Sequence, residues 1–423
     1  MIKKMKSNRG RYQNDDKKQE KKASKRKYMS YEEAPLEDYR EDEPMPHDIT
    51  KKFLKLFLIL FLSVVAVLAV LNIDKLTPDN IAHWFQYDLL GKSEGNGYPT
   101  GFSGTMVNTG NFDLISGVPV YCSDTSITVL NNNAGTYQER QHSFASPMLS
   151  VNGGFGIVYN LDATGYTVIK RDTVEYTGAA KNKIFSADIS ANGIYAVLTS
   201  SEEYLSRVTV YRSDNLEKYN YSFADYYMNN VSINKDGSRA VLCGVSARNG
   251  GLVSVVYILD FSQDNYLQKY EVEDTYIYSV RFLDNGNAYA VGSDSCFFIN
   301  INDGSLNEIS YAGKNLTAFT LKRDQGLVLS LSTNPDGRDC DLLSYDPDGN
   351  KDCEIKTGEK ILSLDMRKND RAILTADGIT VFGLDGKRTA FAEAGSDSRK
   401  LLYSDYNTFY VLGKSRISKL SAE

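Results

Sequence analysis

Histidine is nearly absent from this chain, with 3 in 423 residues. His47, His83 and His142 are far apart, and no pair has the spacing of metal ligands. A Ser-His-Asp triad would have to use His83 or His142, and neither lies in a nucleophile-elbow motif. No catalytic residue, cofactor or metal site is assigned from these residues. Carboxylates are plentiful, so an acid–base pair on a ring of loops stays open. Excess positive charge is also missing. The 48 Lys and Arg are outnumbered by 54 Asp and Glu, for a net charge of −6, which excludes a nucleic-acid binder built on a basic surface. Cysteine is scarce and odd in number, at 5. Cys122, Cys243 and Cys296 fall inside strand-like runs and read as small core residues. Cys340 and Cys353 flank a "PDGN" hairpin, and register alone decides whether they bridge. The same stretch, "DPDGNKD", lacks the ligand spacing and late Glu of an EF-hand and reads as a turn.

Residues 1–52 lack any apolar period. A basic half, "KKMKSNRGRYQNDDKKQEKKASKRKY", is followed by an acidic one, "YEEAPLEDYREDEPMPHD". Neither can bury enough surface to offset chain entropy, so the segment is expected to be a disordered cytoplasmic tail. Binding of nucleic acid or anionic lipid by the basic half is the rival to a solvated tail that fixes topology.

Only one long hydrophobic run occurs. From Phe53 to Leu71 the sole charge is Lys55, near one end. Such a run spans a bilayer core of ~30 Å. Val67-Leu68-Ala69 resembles a signal-peptidase site, but the long stretch before the run is unlike the short n-region of a signal peptide. Residues 53–73 are therefore expected to form an uncleaved single-pass transmembrane helix. Lys51, Lys52 and the upstream basic cluster outweigh Lys75. The positive-inside rule then puts the N-terminus in the cytoplasm and the C-terminal domain outside. Residues 74–103 read as a juxtamembrane helix, capped at Thr77 and Gly91, and a Gly-rich linker.

From Gly104 onward helical periodicity disappears, which excludes α/β folds and helical solenoids. What is present is a recurring phrase: an alternating run, a Gly, Asn or Asp turn, and a second apolar run. "NVSINKDGSRAVLCGVS" (residues 230–246) is the clearest copy. The turns lie near Gly117, Gly153, Gly193, Gly237, Gly286, Gly326, Asp370 and Asn407, spaced 36 to 49 residues apart. Two further strand-like runs follow each phrase. Four strands at this period make one blade of a β-propeller. The expected fold of residues 104–423 is an all-β, eight-bladed propeller, with seven blades as the alternative. The last repeat stops after its third strand. The spare run "SGTMVNT" is expected to complete it and close the ring.

The anchor, "GNGYP", "FASPMLSVNGGFGIVYN" and "ANGIYAVLTS" together resemble a bacterial (Firmicutes) family of membrane-anchored propellers, domain of unknown function 5711. The likeness runs from about Leu56 to Ala422. It implies a single-pass propeller of the cell envelope and carries no known active site.

Function is expected in the loops, as on other rigid scaffolds. Second-to-third strand loops and blade-to-blade connections share one face of a propeller. Here they gather Tyr204, Tyr226, Tyr227, Arg248, Tyr276 and Arg338, the residue types that anchor interfaces. These six form the candidate face for an envelope protein or glycan partner, against the reading that the tyrosines merely pack between blades. The protein is thus expected to be a binding or scaffold module. A propeller lyase or glycosidase acting outside the membrane, or a transmembrane sensor, is the alternative.

Overall fold

The structure is a computed structural model that describes residues 55–63, 95–405 and 407–423. Residues 55–63 form a short helix with exposed apolar side chains. No helix among the described residues is long and apolar enough to cross a membrane. Most of the expected 53–73 span lies outside the described residues, as do the tail and the juxtamembrane helix.

Residues 95–423 build eight antiparallel four-stranded sheets. Blades 1 to 7 occupy residues 107–141, 147–179, 184–223, 227–273, 277–310, 315–356 and 363–392, each with its strands hydrogen-bonded in sequence order. Blade 8 takes its first three strands from residues 400–421. Its outer strand comes from the other end of the chain: Thr100 pairs with Ile417 and Gly101 with Arg416. The eight-bladed reading therefore stands, and the ring closes by the chain ends.

The closing residues differ from the expected "SGTMVNT". The strand is Thr100–Gly101, inside the stretch read as linker. Asp124 explains the difference, because its carboxylate accepts the N–H groups of Thr105 and Met106 and the Thr105 hydroxyl. That ties residues 105–106 into a loop, and Val107 then starts the inner strand of blade 1. Tyr98 holds the entering chain: its ring meets Tyr410 edge-on and its hydroxyl donates to the Asn131 carbonyl at 2.9 Å.

The recurring phrase is the inner hairpin of each blade. Its turn residue is left-handed in all eight copies, glycine in the first six, then Lys368 and Asn407. The alternation within the phrase has a second cause. Each inner strand borders the central channel and has no strand neighbour on that side, so its N–H groups need other acceptors. The polar residues of the preceding inner strand supply them. Asn111 accepts from Leu149, Ser186 from Val231, Asp188 from Ile233, Asn230 from Val280, and Ser232 from Phe282. Ser363 and Asp365 do the same for Leu401 and Tyr403. The intervening apolar residues pack between blades, as Val231 and Ile233 do in the core shared by blades 3 and 4.

All five cysteines are free and buried. Cys353 pairs with Ser344, four residues along from Cys340, an offset of roughly 13 Å at ~3.3 Å per residue. That exceeds the reach of a disulfide. In "PDGN", the Asp346 carboxylate accepts the N–H groups of Asp348 and Asn350, which makes it a hairpin cap.

Candidate functional site

The loop face carries the six sequence-selected residues in three different states. Tyr204, Tyr227 and Tyr276 are exposed, at 45%, 59% and 40%. Tyr204 rides on a turn whose Ser201 hydroxyl accepts the N–H groups of Glu203 and Tyr204. Tyr276 receives a hydrogen bond from Asn229 Nδ2 at 3.0 Å, which joins the connection before blade 5 to the inner strand of blade 4. Arg338 is exposed and paired with Asp336 at 2.6 Å.

Tyr226 differs from its neighbour Tyr227. It is buried, at 2% exposure, so its ring belongs to the core and only its hydroxyl reaches the polar layer. That hydroxyl donates to Glu271 Oε1 at 2.6 Å and accepts from Arg248 Nη2 at 3.3 Å. Arg248 and Lys269 each pair with Glu271 at 2.8 Å, and Lys269 lies 4.9 Å from the Tyr226 ring centroid. Hydrogen bonds from Lys269, Tyr226 and Arg248 hold the Glu271 carboxyl down at about 2. The structure thus brings Tyr226 and Arg248 together and adds Lys269 and Glu271, which sequence reasoning missed. The available signal was Lys269 and Glu271 two residues apart on the outer strand of blade 4, Tyr266–Glu273, hence on one face of it. Nothing in one strand's sequence shows that this face lies beneath a connection from another blade.

The tyrosines lead inward. Tyr276 lies 6.2 Å from Tyr278, and Tyr278 lies 6.0 Å from Phe319, between ring centroids. Tyr278 and Phe319 line a chamber of about 310 Å³ at the loop end of the channel, with Leu362, Arg399 and Lys400. Burial pushes the Tyr278 phenol up to about 12. A second chamber of about 550 Å³ lies toward the inner hairpins and shares Thr109, Phe319 and Lys400 with the first. Its wall is strongly charged. Asp188 on blade 3 meets Arg323 at 2.5 Å and Arg281 at 3.6 Å, and also accepts from the Ser150 hydroxyl. Lys322 pairs with Asp365 at 2.9 Å. Burial opposes the Asp188 charge, but Arg323, Arg281, Ser150 and the Ile233 N–H together hold its carboxyl below the usual value.

One side-chain pair has the outline of a nucleophile and its base: Cys122 Sγ lies 3.3 Å from His142 Nε2. Burial pushes the thiol up to about 12 and holds the imidazole below its usual value, so both stay neutral at physiological pH. No cluster of three metal-ligating side chains occurs among the described residues.

A family model matches residues 105–421, the propeller almost end to end. The chain belongs to the family of unknown function DUF5711. Within the DUF5711 propeller the match covers every blade but omits the closing strand at Thr100–Gly101. No curated protein matches the sequence. Among solved structures, the C-terminal WD40 domain of Sif2 is similar, with a TM-score of 0.53 at 10% identity, over 77% of this chain and 98% of that one. At that identity the likeness shows the fold alone.

Proposed function

We propose that this DUF5711 propeller is a binding module displayed outside a membrane. In this reading the apolar run Phe53–Leu71 spans the bilayer, residues 1–52 stay in the cytoplasm, and residues 95–423 face outward. The support is the run's length and the excess of Lys and Arg before it. The partner is a protein or glycan of the envelope that docks on the loop face.

The observation that carries the docking reading is the exposure of Tyr204, Tyr227 and Tyr276 on blades 3 to 5 of one face. Exposed tyrosines give large contact area at small entropic loss, and interfaces favour them. Arg248 lies beside the Tyr226 hydroxyl, held by Glu271. The opposite face presents mainly short hairpin turns.

A photo-crosslinker introduced at Tyr227 in intact cells tests this. It should capture a defined outer partner, and Tyr276→Ala should abolish that capture. Equal capture of the same partner from a crosslinker at Asp348, on the opposite face, would reject the site.

A further inference from the structure

The larger chamber of the channel holds more positive charge than its carboxylates neutralise. Arg281 and Arg323 share a single acid, Asp188. Arg323 takes the shorter contact and also donates to the Ile233 carbonyl at 2.5 Å and the Phe282 carbonyl at 3.4 Å. Arg281 is left with a 3.6 Å approach to the same carboxylate. Lys322 is satisfied by Asp365 and by the Met366 carbonyl, at 2.9 Å each. Lys400 has no carboxylate within ion-pair distance and no hydrogen-bond acceptor among the described residues. Asn152 Nδ2, on the same wall, is a buried donor without an acceptor. At the rim, Arg367 is paired with Asp405 at 2.9 Å and Asp324 is exposed.

Three donors therefore line one cavity with bonding capacity to spare: Lys400 and Asn152 Nδ2 have no acceptor among the described residues, and Arg281 shares its one carboxylate with Arg323. A buried donor without a partner, as at Asn152, ordinarily marks a missing acceptor, and Lys400 and Arg281 are partly exposed toward the chamber. Charged nitrogen donors bind oxyanions most strongly where water is limited. We propose that this chamber is a binding site for a small oxyanion, a carboxylate or phosphate group, held by Lys400, Arg281 and Asn152. Its volume of about 550 Å³ lies within the usual range of small-molecule sites, about 300–1,000 Å³. The hydroxyls of Ser279, Thr320 and Thr109 on the wall suit a ligand that carries further polar groups.

Asp113 stands on the same wall and fits this assignment. It accepts only the N–H of its own neighbour Leu114, and no cation lies within ion-pair distance of it among the described residues. Burial holds its carboxyl above the usual carboxylate range, against the pull of Lys400, Lys322 and Arg281. That reduces its repulsion of an incoming anion.

Titration calorimetry of the full chain, near pH 6 and at fixed ionic strength, tests the assignment with inorganic phosphate and glucuronate as probes and glucose as the neutral control. At least one anion should bind and glucose should not. Binding of phosphate alone or of glucuronate alone identifies which oxyanion the chamber takes. Lys400→Gln should weaken binding about tenfold or more, the loss expected for a charge-assisted hydrogen bond. A second measurement uses the unaltered chain and stands even if that variant fails to fold. Saturating anion should protect Lys400 from acetylation while Lys419, on the third strand of blade 8, reacts as before. Absence of binding by both anions, unchanged affinity in Lys400→Gln, or unprotected Lys400 would overturn the proposal.

Discussion

Arg323, just past the inner strand of blade 6, reaches Asp188 on the inner strand of blade 3 at 2.5 Å. The contact crosses the channel, and Asp188 also receives Ser150 of blade 2 and the Ile233 N–H of blade 4. With Arg281 of blade 5 at 3.6 Å, this one carboxylate links five blades. Replacing Asp188 by Asn would strand two guanidinium groups, so a loss of roughly 3–5 kcal/mol is expected. The pH dependence has a definite sign. The folded Asp188 carboxyl titrates below its unfolded value near ~3.9, so its stabilisation is complete above that pH. It is lost as pH falls through the lower folded value. Unfolding midpoints between pH 2 and 6 should drop on the acid side in the wild type and much less in Asp188→Asn. Parallel curves would contradict this.

Closure gives a second expectation. Removal of residues 95–102 deletes the Thr100–Gly101 strand and the Tyr98 anchor, leaving the third strand of blade 8 as an open edge. The shortened chain should melt earlier and aggregate on standing. Unchanged melting and full solubility would show that the ring closes without this strand.

Gly326 sits at the inner hairpin of blade 6 with φ of 98°, and a Cβ there would lie 2.2 Å from the Tyr345 carbonyl oxygen. Neither backbone can yield cheaply. Gly326→Ala should destabilise by well over ~1 kcal/mol in denaturant unfolding. Gly286→Ala is the control: it is also left-handed, at φ of 90°, but nothing lies within 4 Å of its Cβ. Equal losses in the two variants would mean that the close approach contributes nothing.

Every cysteine is buried and reduced. Burial raises the thiols of Cys122 and Cys296 to about 12, far from the thiolate that reacts. Iodoacetamide should label none of the five in the folded chain and all of them in denaturant. Rapid labelling of Cys122 under native conditions would revive the Cys122–His142 pair as a reactive couple.

The sequence by itself determined the blade count, the place of each inner hairpin and the closure of the ring by its own ends. Those features are local: a turn residue that tolerates positive φ, flanked by alternating runs, recurs at a period that only a blade explains. It also exposed the polar positions of the inner strands, Asn230 and Ser232 among them, without showing what they bind. Tertiary structure alone decided that, because the N–H groups they satisfy belong to the next blade. Tertiary structure also chose Thr100–Gly101 over "SGTMVNT" as the closing strand, through the grip of Asp124 on Thr105. It separated Tyr226 from Tyr227: Tyr226, in the connection just before the inner strand of blade 4, turns into the core, and Tyr227, the first residue of that strand, faces out. And it gathered Arg281, Arg323, Lys400 and Asp113 around one cavity from inner hairpins of blades 5, 6, 8 and 1. Charges so distant in the chain meet only when the ring closes, so no reading of local pattern reaches them.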